Sequence, residues 1–183
     1  MWMDKGDPDG IRAFLQRNEG SYVAEKLRAD WIRWLGKRAL WSEVDAEYPK
    51  LLAPEPDVTC YSLQARTDRS VLAEAEKLWL TMLEPPEACR PVLDALVASQ
   101  AKTADDVWTR TRRQIEANRP SQARATLNYL PDSQMPDARA FDSAINSAMS
   151  YLVKQGAGNG SRTGRELAAF AVARLAANDP HQA

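Results

Sequence analysis

One histidine and two cysteines in 183 residues leave little from which to build a metal site or a histidine-based catalytic centre. The histidine, His181, lies in a polar tail, so neither a Ser/His triad nor a His-rich metal cluster can be assembled, and no metal or cofactor is expected. Glycine is scarce at eight residues, and β-branched residues are scattered singly, so continuous strands would be hard to build. Charge of one sign is lacking as well. A formal net charge of -1 gives no global field toward nucleic acid or an anionic membrane, and no nucleic-acid partner is expected. No apolar run approaches the length of a bilayer crossing, so no membrane span is expected. The start, Met1-Trp2-Met3-Asp4-Lys5-Gly6-Asp7, lacks the apolar core of a secretion signal, although a signal could lie upstream.

What is abundant is alanine and leucine in short amphipathic stretches. From Tyr22 to Lys37 the apolar residues Val23, Leu27, Trp31, Trp34 and Leu35 recur at helical spacing, with Glu25, Lys26, Arg28, Arg33 and Lys37 on the other side. Gly36 and the basic residues after it mark the end. A second helix carries Trp41, Val44 and Tyr48 and stops at Pro49. Asp7-Pro8-Asp9-Gly10 reads as a turn and N-cap before a helix over Ile11 to Arg17; it fails as a calcium loop, with Lys5 and Gln16 where carboxylate ligands belong. Further helices are expected over Val58 to Ala65, around Leu72, Ala75, Trp79 and Met82, and over Pro91 to Ser99. Others follow over Ala104 to Ala117, Ser121 to Leu130, Ala138 to Lys154 and Arg165 to Ala177. Short helices with breaks at this spacing bury their stripes by pairing. The expectation is an all-α chain, an α-superhelix (solenoid) of about ten short helices packed as antiparallel pairs over residues 1–183. Large rings at helical spacing belong to the core, and Leu27, Trp31, Leu35, Trp41, Tyr48 and Trp79 are the expected structural core residues.

Candidate sites are few. The Gly-rich run at 156–164 lacks the preceding strand and the Lys-Ser of a phosphate loop and is expected to be a flexible linker. Arg110, Arg112, Arg113, Arg119 and Arg124, close to Trp108, form the densest basic region and could hold a phosphate or a carboxylate. The interleaved Asp105, Asp106 and Glu116 favour helix faces with local ion pairs instead. Paired carboxylates such as Glu43 and Glu47, or Glu74 and Glu76, fall on helix surfaces with no apolar pocket to raise a pKa, so no catalytic residue is expected. Cys60 and Cys89 flank about one helical hairpin with no CxxC, a pattern that suits a disulfide or two buried thiols better than zinc.

The run Leu27-Arg28, Trp31, Leu35, Trp41, Tyr48-Pro49, then Cys60-Tyr61 with Ala65, then Leu78-Trp79-Leu80, Pro86 and Cys89 resembles the superhelical U-shaped domain of bacterial soluble lytic murein transglycosylases. The likeness continues more weakly through Trp108, Arg110 and Gln134-Met135-Pro136, and it is most specific from Leu27 to Cys89. It departs at Ala39-Leu40, where polar turn residues are usual, and in the two prolines before Cys89. The resemblance implies a periplasmic protein whose full-length form cleaves the MurNAc-GlcNAc bond of peptidoglycan with 1,6-anhydro product formation. A Glu in a lysozyme-like C-terminal domain does that chemistry, in a Glu-Ser motif. Here no Glu is followed by Ser, so no catalytic residue is transferred. This chain would be the inactive scaffold, with the glycan strand and the missing catalytic domain as partners. The resemblance also implies a Cys60 to Cys89 disulfide. The competing expectation is a free-standing helical-repeat adaptor that binds a protein or peptide.

Overall fold

The computed structural model describes residues 7–66, 70–155 and 160–178, all of them helix, turn or connection. Eleven α-helices are described: α1 (Pro8–Arg17), α2 (Tyr22–Gly36), α3 (Trp41–Glu47), α4 (Pro56–Ala65), α5 (Ser70–Thr81), α6 (Arg90–Ala98), α7 (Ala104–Glu116), α8 (Pro120–Leu127), α9 (Ala138–Asn146), α10 (Ala148–Gln155) and α11 (Arg162–Asn178). Short 3-10 turns lie at Tyr48–Lys50, Glu87–Cys89 and Asp132–Gln134. The chain divides into two compact units, Met1–Leu78 with Pro85–Leu96 and Trp79–Glu84 with Val97–Ala183.

In the first unit the apolar stripe of α2 sets the core. Gly20 takes φ +76 and Ser21 caps the helix by accepting from the Ala24 N–H at 3.2 Å. The buried face runs through Ala24, Arg28, Trp31, Ile32 and Leu35, one position round from the expected stripe. Val23 is 61% exposed, because the small Ala24 is the side chain that lets α1 approach, and Ile11 and Leu15 of α1 are buried in the same core. Arg28, expected on the solvent side, is 4% exposed and pairs with Glu47. Leu35 and Trp31 are buried; Leu27, Trp34, Trp41 and Tyr48 pack against that core half-buried. Trp31 and Trp34 stack with ring centroids 4.8 Å apart, and the Arg38 guanidinium lies 3.9 Å over Trp34. Val44 of α3 and Val58 of α4 complete the core.

Helix α2 ends at Gly36, the expected stop, but the glycine is not its left-handed residue. Gly36 is the last helical residue, and the left-handed position falls on Ala39 at φ +55, with Ala39 N–H donating to the Gly36 carbonyl and Leu40 N–H to that of Leu35. The opening Asp7-Pro8-Asp9-Gly10 is not a turn before a helix: Pro8 begins α1 itself and Asp7 is its N-cap. Cys60 of α4 and Cys89 are disulfide-bonded with Cα atoms 4.9 Å apart, and both are fully buried.

In the second unit α7, with Val107, Trp108, Thr111 and Ile115 buried, packs on α8 and on α11, whose Leu167, Phe170 and Ala171 are also buried. Trp108 and Phe141 both approach Phe170, with centroids 6.2 and 6.4 Å away. The contact of α11 with α7 is long in sequence and differs from a repeat in which each pair meets only its neighbours. The single helix expected from Ala138 to Lys154 is two. Ser147 leaves helical geometry at φ -139 and ψ 46, and the break lets both α9 and α10 pack on α11, burying Phe141 and Ala144 on one side of it and Ala148 and Tyr151 on the other. Trp79, at 1% exposed, belongs to this unit, while Leu72 of the stripe expected around it is 37% exposed. Of the expected linker, 156–159 lies outside the described residues; Ser161 caps α11 by accepting from the Gly164 N–H at 3.0 Å, so 162–164 form its first turn.

Candidate functional site

A groove of about 390 Å³ with a mixed polar and apolar lining lies in the second unit. Three short stretches build it. Pro120 starts α8, so Arg124, Leu127 and Asn128 fall three and four residues apart on one side at its end. Met135 and Pro136 form a wall, Met135 held extended as the residue before a proline. Asp137 then caps α9, accepting from the Arg139 and Ala140 N–H groups at 2.9 and 3.1 Å, and this aligns Ala138 and Phe141 along the other side.

The Met135-Pro136 wall is anchored from behind. The Trp108 indole N–H donates to the Gln134 side-chain oxygen at 3.2 Å, and the Thr163 hydroxyl donates to the Gln134 carbonyl at 2.9 Å. A loop tied on both sides by groups from α7 and α11 gives a preformed groove. At the mouth, the Arg124 guanidinium lies 5.1 Å over the Phe141 ring and pairs with Asp142. Asn128 is exposed, and its side-chain amide has no partner among the described residues.

The five arginines singled out in the sequence do not form one patch. Arg112 donates to both Glu166 oxygens at 2.7 and 2.8 Å, and Arg119 pairs with Glu84 at 2.8 Å. Arg113 is exposed. Arg110 is 1% exposed; it donates to the Met82 carbonyl at 2.7 Å and lies 4.9 Å over Trp79. Burial without a carboxylate pulls its pKa down to about 10. The nearby acids have other work than the interleaved pairing expected of them. Asp105 pairs with Arg162, and Asp106 closes a capping box with Thr103. Asp106 is held below the usual carboxylate range, first by the Thr103 backbone N–H and then by its hydroxyl.

Sequence reading placed Trp108 and Arg124 in the right neighbourhood but missed Asn128, Met135 and Phe141 as one surface. The available signal was a Met-Pro pair between two amphipathic helices, and nothing in the sequence sets its distance from α8. Among the described residues no group of three His, Cys, Asp or Glu side chains could hold a metal, and no helix is long and apolar enough to cross a membrane. No family model, curated protein or solved structure matches the chain.

Proposed function

We propose that this chain is a non-catalytic scaffold, a superhelical segment of a periplasmic peptidoglycan lytic transglycosylase. It helps confine a glycan strand beside a lysozyme-like domain that supplies the catalytic Glu. The observation that carries this reading is the Cys60–Cys89 disulfide, which joins the two cysteines of the Leu27 to Cys89 stretch that holds the resembling motifs in order. A disulfide suits an oxidising compartment, and closing a loop with a sequence separation of 29 is worth about 3 to 4 kcal/mol in the chain-entropy model. Helices that meet few distant partners gain most from such a local staple.

The first test is the genomic reading frame. A secretion signal before this sequence and a Glu-Ser-bearing lysozyme-like segment after it support the scaffold; a frame with neither overturns it. The second test is biochemical. The purified chain should release no 1,6-anhydro-muropeptides from sacculi, whereas the frame extended through the lysozyme-like segment should. Release by the chain alone also overturns the reading.

A second reading, a helical adaptor that binds a peptide or protein, is favoured by the preformed groove between α8 and α9. It predicts saturable peptide binding by a chain whose reading frame carries no catalytic segment.

A further inference from the structure

The groove at Arg124 is not used by the scaffold reading and stands or falls separately from it. Its size is at the small end of ligand sites, with room for one side chain and the polar groups attached to it. Arg124 is the only charged side chain in the lining, so its charge complement is an anion. Its pair with Asp142 leaves the two side chains 45% and 50% exposed, and an ion pair this open to water is weak and exchanges readily for a second carboxylate. The Phe141 ring beneath the guanidinium fixes where that carboxylate would sit. One turn on, Asn128 offers an unspent amide beside it. Leu127, Phe141 and the adaptable thioether of Met135 supply an apolar floor.

We propose that the groove binds the C-terminal residue of a peptide: its carboxylate on Arg124, its backbone N–H on the Asn128 side-chain oxygen, and its apolar side chain against Leu127, Met135 and Phe141. The three recognised groups radiate from one Cα atom, which matches Arg124, Asn128 and an apolar floor that line one groove. A free amino acid would bring an ammonium beside Arg124 in place of the amide, and so is disfavoured.

The test uses the whole chain, labelled with nitrogen-15 and titrated with N-acetyl-leucine, N-acetyl-leucinamide and free leucine. N-acetyl-leucine should move the Asn128 side-chain amide and the Leu127 and Ala138 backbone amides in a saturable way, with Kd on the order of 1 mM. The leucinamide should bind roughly five-fold or more weakly, since it cannot accept a guanidinium fork. Arg124→Gln should reduce N-acetyl-leucine to the leucinamide level and leave the leucinamide unchanged. Asn128→Ala should weaken both acylated probes. Both positions are exposed, and unchanged thermal midpoints would establish that the variants are folded. Equal binding of acid and amide, tighter binding of free leucine, or no saturable shift at these residues overturns the proposal.

Discussion

Gly36 shows how one missing Cβ can decide a packing. It is the last residue of α2, and a Cβ there would overlap the Tyr61 ring of α4. Gly36→Ala should cost about 1–3 kcal/mol, the usual range for overpacking. A double-mutant cycle checks the cause: the same change should cost much less in a Tyr61→Ala background, and equal costs would mean that the ring is not what the glycine accommodates. Arg33 of the same helix reaches Asp57 with Nε at 2.6 Å and Nη2 at 3.0 Å, and this holds the Asp57 carboxyl below its ordinary value of 3.8. The Asp57 contribution to stability is therefore complete above that ordinary value and is lost as pH falls through the lower folded one. Urea midpoints of the parent should fall between pH 5 and roughly pH 2.5, and Asp57→Asn should make that fall shallower. In the sequence Gly36 was visible only as a helix stop, and Arg33 only as one of the charged residues opposite the apolar stripe.

At the scale of elements, periodicity located nearly every helix, while the ends were set by capping geometry. Ala39 occupies the left-handed position after α2 at φ +55, where glycine would carry no Cβ penalty. Ala39→Gly should stabilise the protein by about 0.5 kcal/mol, the steric relief exceeding the extra freedom of the unfolded chain; a lower denaturation midpoint would contradict that. The capping box of α7 makes the opposite prediction. Thr103 accepts from the Asp106 N–H at 3.3 Å while donating its own backbone N–H to Asp106 at 2.8 Å, and Thr103→Ala should cost about 1 kcal/mol by denaturant unfolding. The break at Ser147 could not be read from the pattern, because Phe141, Ala144, Ala148 and Leu152 keep helical spacing across it. The break shows only in the tertiary structure, where α9 and α10 both pack on α11.

For the whole molecule, the disulfide is the feature whose removal reads out most clearly. Cys60 and Cys89 lie in the first unit, so the Cys60→Ala/Cys89→Ala variant should lose about 3 to 4 kcal/mol there. Hydrogen exchange should quicken in α4 and around Glu87–Cys89 before it does in α9 to α11. Uniform quickening along the chain would show that the bond stabilises more than its own unit. The sequence by itself determined that the chain is helical, where most helices lie, and that its two cysteines and large rings belong to packing. It could do so because helical periodicity, scarce β-branched residues and proline stops are local properties. The tertiary structure alone decided which side of α2 is buried, that Arg28 and Arg110 lie inside, and that Arg124, Asn128 and the Met135-Pro136 wall share one groove. Those facts depend on distances between segments, and these are set by which side chains fit against each other once the helices meet.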